Sequence, residues 1–336
     1  MNFTKSLVQN YPDVIVTHFN FEKHLHKYED IKDTCLSIGY DCIWNKHIID
    51  YVKQFDKSIF FNGEHPCPFT QKHKYGHRCA GIDNIFTDIY TICPYTAKWA
   101  NDVYHEGREK FKPTIFPIDK ENVLKYQQNE KEYDAIFYGS ICGQDHADTV
   151  MHISNFNYKF ITLGPQYWSP NVQVDMRALF DKVTDMNITT FQKWDILSKT
   201  KVVPIFNQLY LKDNQIELIK SYDRWNENKA FTNLDSKVAC QLKPRITEAA
   251  FFKMLMLVKR DPWNAIEYFY EPDKEFIYFD TVEEMQDKVS DILANYEQYE
   301  EMIERAHKKS LNYMSEPLIN IIRNKEEWKP HDLCEK

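Results

Sequence analysis

Glycine is scarce, with 8 residues in 336, all at or before Gly164, against an average usage of roughly 7%. No GxGxxG or GxxxxGK[ST] pattern occurs, so the two common glycine-loop modes of phosphate binding are excluded. Positive charge is also short: Lys+Arg 42 against Asp+Glu 50 gives net −8 and a pI near 5.9, which offers no broad field for a nucleic-acid backbone. A nucleic-acid partner is therefore not expected. Nowhere do about 18 apolar residues run together, and MNFTKSLVQNYPDV lacks a signal-like apolar core. No membrane span is expected, and the expected location is cytoplasmic. Eight irregularly spaced cysteines are too few for a disulfide scaffold and suit a reducing compartment. His65, Cys67, His73, His77 and Cys79 cluster in EHPCPFTQKHKYGHRC, but their spacing matches no standard zinc module. They are read as a polar surface loop, and no metal site is expected.

What is present is a folded α/β composition: 43% hydrophobic, 15% aromatic and 27% charged residues, far from the pattern of disordered chains. At about 150 residues per domain, the length points to two domains. Short apolar runs alternate with helical patterns, as in βαβ units around a mainly parallel sheet. Val14–Thr17, Asp41–Trp44, Ser58–Asn62 and Ile89–Cys93 read as strands, Glu29–Ser37 and Ile48–Phe55 as helices, and Pro94 opens another helix. The stretch 113–131, with Pro113 and Pro117 ahead of a polar run, reads as a linker. The pattern then restarts with strands Tyr133–Tyr138, Tyr158–Leu163, Lys201–Phe206, Met256–Lys259 and Glu275–Phe279. Helices are expected at Phe191–Ser198, Pro244–Met254, Asn264–Tyr270, Val282–Asn295 and Tyr296–Met314, while 208–235 resists placement. The fold class is thus α/β, two Rossmann-like domains facing a cleft: 1–112, linker 113–131, 132–312, and a tail 313–336.

Ligands of open parallel sheets lie beyond the carboxyl ends of the strands, so the loops after Thr17, Asn62, Tyr138, Phe206 and Lys259 are the places to look. In KPRITEAAFF, Ile246, Ala249 and Ala250 share one helical face, while Arg245 and Glu248 project together from the other. Near a helix start the free N–H groups and dipole favour an anion, and Arg245 adds a planar donor suited to phosphate. Glu248 then suits sugar hydroxyls, the hydrogen-bond logic by which carboxylates hold ribose diols. The same two residues equally describe an ordinary surface ion pair. Of the aromatics, Tyr167–Trp168 and Trp263–Asn264 fall in predicted cleft loops, where they suit sugar contacts; the other tryptophans read as core.

The block 243–302 resembles the C-terminal half of GT-B glycosyltransferases, especially the spore-maturation CgeB-like and group 1 families. The shared order is an Arg–x–x–Glu helix, a hydrophobic strand, a short helix, a strand of the form E-F-I-Y-F-D and a helix that begins V-E-E-M. SIFFNGEHP, TICPYTAKWAND and the FPID segment before YDAIFYGS are similar to the family's N-terminal half and domain junction. The resemblance implies transfer of a sugar from a nucleotide-diphosphate sugar to a hydroxyl acceptor on a glycan or similar molecule. On that reading Arg245 contacts the diphosphate, Glu248 the ribose, Gly139 and Ser140 form the family's early glycine turn near the phosphates, and Lys243 and Asn264 complete the donor-binding set. The donor is a co-substrate, and no cofactor is implied.

Two departures stand out: Cys240 occupies the position of a second family glutamate, and Lys253 that of a small-residue glycine. A catalytic base for an inverting enzyme is sought in the first domain, where Glu64, His65 and His18 each follow a strand. No Asp-x-Asp occurs, so metal independence is expected, with Arg245, Lys243 and a helix terminus stabilising the leaving diphosphate. The alternatives are a non-catalytic nucleotide-sugar or glycan binding protein with the same fold, or a nucleic-acid glycosyltransferase if the basic runs 72–78 and 305–309 form one stripe.

Overall fold

The computed structural model describes residues 35–38, 52–62, 85–118, 124–126, 130–213, 216–217, 232–233 and 237–314, apart from isolated positions within them. The chain divides into two compact units, both discontinuous in sequence: Met1–Asp119 with Leu211–Leu242 and Met314–Lys336, and Lys120–Tyr210 with Lys243–Tyr313. The segment 211–242, which takes in most of the 208–235 stretch that sequence reading left unplaced, thus groups with the first unit.

In the first unit β1 (Cys35–Ile38), β2 (Ser58–Asn62), β3 (Asp88–Thr91) and β4 (Phe111–Pro113) form a parallel sheet in that order. Cys35–Ile38 falls partly within the expected helix Glu29–Ser37 but is a strand, with Cys35 opposite Ser58 and Ile38 opposite Phe61. A four-residue apolar run carries no helical period, and parallel pairing to β2 decides it. Helix α1 (Pro94–Tyr104) begins with proline, whose missing N–H is an orphan there anyway. Its Asn101 side chain accepts from the Phe111 N–H and donates to the Phe111 carbonyl, both at 2.8 Å, fixing β4 to the helix. The expected linker is therefore ordered at its start: Pro113 is in β4 and Thr114 and Ile115 are buried. The expected strands Val14–Thr17 and Asp41–Trp44 lie outside the described residues, as does the tail beyond Met314.

The second unit holds a six-stranded parallel sheet. Its strands are β5 (Tyr133–Tyr138), β6 (Tyr158–Thr162), β7 (Asp185–Met186), β8 (Thr200–Ile205), β9 (Leu255–Lys259) and β10 (Ile277–Phe279). Their spatial order is β10-β9-β8-β5-β6-β7, the doubly wound arrangement whose topological switch lies between β5 and β8. The central strands are apolar on both faces, as a sheet covered by helices requires: Ala135–Tyr138 and Val202–Ile205 are all buried. Phe137, Phe160, Phe206, Leu257, Phe279 and Met285 fill the core, each buried aromatic contributing roughly 1.5–3 kcal/mol.

Helices α2 (Gln144–Ile153), α3 (Met176–Phe180), α4 (Thr190–Ser198), α5 (Pro244–Phe251), α6 (Val282–Ala294) and α7 (Glu300–Ser310) complete the unit. Helix α4 starts with a reciprocal Thr189–Gln192 capping box and α6 with Thr281 capping Glu284 N–H. The expected last helix is interrupted: Tyr296–Tyr299 and Leu311–Tyr313 are single 3-10 turns flanking α7. Trp168, expected in a ligand-facing loop, is instead core; its ring stacks on Phe160 at 5.7 Å and its N–H bonds Thr162 Oγ1 at 3.0 Å. Tyr167 beside it is exposed. Among the described residues no helix is long and apolar enough to cross a membrane.

Candidate functional site

Beyond the carboxyl end of β5 the chain turns at Gly139, whose φ of 124° is rarely open to a residue with a side chain. Its N–H is spent on the Ile161 carbonyl at 2.9 Å, so it joins the sheet rather than standing free. The absence of a side chain is what the site uses: a Cβ here would lie 2.0 Å from Arg245 Nη2. Arg245, in the first turn of α5, extends across the ends of β5, with its guanidinium carbon 5.1 Å from the Phe137 ring and 5.3 Å from the Tyr138 ring. Such stacking holds a cation without neutralising it. Among the described residues Arg245 forms no salt bridge, and removal from water pulls its pKa below the ordinary arginine value. A partly exposed guanidinium at a helix start, without a salt bridge among the described residues, has the chemistry that suits an anion.

Glu248, one turn along α5, is 8% exposed. It does not pair with Arg245. Its Oε1 accepts from Lys193 Nζ at 2.5 Å and from Trp194 Nε1 at 3.2 Å, both on α4. Tyr138 connects the two halves of the arrangement, because its ring lies under Arg245 and also 5.5 Å from Lys193 Nζ. The Tyr138 hydroxyl is buried beside Glu248, and burial, then the Glu248 carboxylate, raises its pKa well above the phenol value.

The turn 139–143 rests on His146, which sequence reading passed over. The imidazole sits among Phe137, Phe206 and Tyr210 at 5.3, 4.7 and 5.1 Å between ring centres. Its Nδ1 is 3.2 Å from both the Cys142 N–H and the Ser140 carbonyl oxygen. Burial, and next the Arg245 charge, push its pKa well below 6.5. Gly143 makes room for Tyr210, since a Cβ there would come within 2.2 Å of that ring. Lys243 is the N-cap residue of α5 and its charge also reaches His146.

The structure therefore brings Gly139, Ser140, Lys243, Arg245 and Glu248 to the switch between β5 and β8. Asn264 makes its backbone bonds within the turn after β9, donating to Asp261 O and accepting from Glu267 N–H, in a left-handed conformation. His18, Glu64 and His65 lie outside the described residues, as do Cys67, His73, His77 and Cys79.

Residues 176–315 match the family model described as glycosyl transferase-like. A glycosyltransferase from Rickettsia africae superposes with a TM-score of 0.54 at 9% identity, covering 95% of this chain and 86% of that one. The chain has the GT-B fold of glycosyltransferases. Sucrose-phosphate synthase from Thermosynechococcus elongatus (TM-score 0.52, 9% identity, 95% and 79% covered) and Anabaena Alr3699/HepE in complex with UDP (0.51, 9%, 95% and 83%) have the same fold. Against pneumococcal O-GlcNAc transferase GtfA the TM-score is 0.49 and this chain spans 60% of that chain's length. No curated protein matches the sequence.

Within this GT-B chain the glycosyl transferase-like match covers α3 to α7 and so includes Lys193, Lys243, Arg245 and Glu248. The glycine turn and His146 precede it. The partner residues missed from sequence are those that come from elsewhere in the chain: Lys193 meets Glu248 across 55 positions. Its only signal was a lysine on the helix just before a predicted central strand.

Proposed function

We propose that this chain moves a sugar from a nucleoside-diphosphate sugar to a hydroxyl acceptor. The observation that carries the reading is the uncompensated Arg245 guanidinium at the start of α5, at the sheet's switch point, with the carboxylate of Glu248 one turn behind it. Helix N–H groups and a guanidinium suit a diphosphate; a carboxylate fixed by Lys193 and Trp194 suits a ribose diol.

In the reaction the bond from the sugar's anomeric carbon to the diphosphate oxygen breaks, and the acceptor oxygen bonds that carbon as its proton leaves. The negative charge developing on the diphosphate is stabilised by Arg245, Lys243 and the α5 dipole, without a divalent cation. Glu64, His65 and His18 are the candidates to take the proton. Alr3699/HepE was solved with UDP, which makes UDP-sugars the first donors to try. The basic run 305–309 gives little support to a nucleic-acid acceptor, because Arg305 pairs with Glu301 at 2.5 Å and Lys309 with Glu275 at 2.8 Å.

A second reading, a binding protein without turnover, draws on Cys240, fully buried where the resembled families carry a glutamate. Release of free sugar or of glycosylated acceptor from UDP-glucose, GDP-mannose and ADP-glucose in EDTA separates them. Turnover that falls at least about tenfold in Arg245→Ala supports transfer. Binding without any turnover supports the second reading.

A further inference from the structure

One nitrogen of His146 faces two backbone groups of the turn 139–143. Nδ1 is 3.2 Å from the Cys142 N–H and 3.2 Å from the Ser140 carbonyl oxygen, and it cannot serve both. A backbone N–H only donates and a carbonyl only accepts, so a lone pair on Nδ1 answers the first and a proton answers the second. The other ring nitrogen decides between them. Nε2 is buried with no hydrogen-bond partner among the described residues, in a side chain only 3% exposed. The ring packs edge-to-face with Phe206 at 4.7 Å and Tyr210 at 5.1 Å. A lone pair on Nε2 would go unanswered there, whereas an N–H among aromatic rings is drawn to their π-electrons. The proton therefore belongs on Nε2, and Nδ1 accepts from Cys142. An imidazolium would carry a proton on both nitrogens and break the Cys142 bond; burial, then the charges of Arg245 and Lys243, disfavour it.

Three bonds pin the turn to its surroundings. Gly139 N–H reaches the Ile161 carbonyl at 2.9 Å, Ser169 N–H reaches the Ile141 carbonyl at 2.7 Å, and Cys142 N–H reaches His146. Only the last uses a side chain. The start of α2 has no other side-chain cap, since its N-cap residue is Gly143.

We propose that His146 is a positioning residue for the diphosphate turn: as the Nε2–H tautomer it takes the Cys142 N–H on Nδ1 and so holds Gly139 and Ser140 beside Arg245, acting through its lone pair rather than through the bulk of its ring. This rests on the donor reading above and adds to it a residue that the nucleotide does not touch.

Two substitutions separate the lone pair from the bulk. His146→Phe keeps an aromatic ring among Phe137, Phe206 and Tyr210 and removes the acceptor; His146→Asn keeps an acceptor at the δ position and gives up most of the ring. Calorimetric titration with whichever of UDP, GDP and ADP wild type binds is expected to show His146→Phe about tenfold weaker and His146→Asn within about threefold of wild type. Thermal melts are expected to place His146→Asn below His146→Phe, because it leaves a cavity. Affinities that follow the order of Tm, or His146→Phe binding as tightly as wild type, overturn the proposal. The tautomer is read without ligand from the NMR shifts of the His146 ring nitrogens: an unprotonated Nδ1 supports the assignment, and a protonated Nδ1 overturns it even where His146→Phe fails to fold. A wild-type chain that binds no nucleotide overturns the positioning role by way of the donor reading, whereas a protonated Nδ1 overturns it with nucleotide binding intact.

Discussion

Gly139 and Arg245 share a space that no other residue at 139 leaves open: a Cβ would stand 2.0 Å from Arg245 Nη2, on a backbone whose φ is 124°. The glycine is thus a condition for the arginine's position, although they stand 106 positions apart in sequence. Gly139→Ala is expected to cost about 1–2 kcal/mol through its backbone conformation. It should also swing the guanidinium off Phe137 and Tyr138, lowering nucleotide affinity by about tenfold or more. Urea melts and calorimetry measure the two effects separately; unchanged affinity would show that Arg245 does not need this place.

Lys131 links the carboxyl ends of two helices that build the site, donating to Ser198 O at 3.0 Å below α4 and to Phe252 O at 2.9 Å below α5. Burial, and next the charge of Lys253, bring its pKa down from 10.5 to about 7. The folded value is thus below the unfolded one. Between about pH 7 and 10.5 the unfolded chain holds a proton that the folded chain lacks, so this group makes stability rise with pH across that window; below it, both states are protonated and its contribution is flat. Urea melts at several pH values should show the rise in wild type and a smaller one in Lys131→Met. The same slope in both would assign it elsewhere.

Lys253 departs from the small glycine of the resembled families, and the backbone registers the cost: its φ is 53°, left-handed, just past the end of α5. A glycine at such a position relieves roughly 1 kcal/mol, set against the Lys253–Glu304 ion pair at 2.7 Å, about two-fifths exposed on each side and so of little value. Lys253→Gly should therefore raise Tm by a few degrees. A lower Tm would mean that the ion pair outweighs the backbone.

How far the sequence could be read depended on whether the signal was local. YDAIFY announces a buried strand by its unbroken apolar run, and β5 has those bounds, Tyr133–Tyr138. PRITEAAF carries proline at its start and apolar residues at helical spacing, and α5 begins where expected, though it ends at Phe251 rather than Met254. CLSI, at four residues, was too short to show a period, and only pairing with Ser58–Phe61 makes it a strand. Arg245, Glu248 and Gly139 were visible as types suited to phosphate and ribose, but not the contact between Gly139 and Arg245, nor the capture of Glu248 by α4. His146 had no periodic or motif signal at all; it is defined by surroundings that only the folded sheet supplies.

The most direct test of the account is a thermal-shift titration of wild type and Arg245→Ala with UDP, GDP and ADP, each in EDTA and in Mg²⁺. Ligands that bind the native state raise Tm with the logarithm of concentration over Kd. One nucleotide is expected to raise Tm equally in EDTA and Mg²⁺, and Arg245→Ala to abolish the rise. A rise retained in Arg245→Ala, or none with any nucleotide in wild type, would contradict the assignment of the α5 start as the diphosphate site.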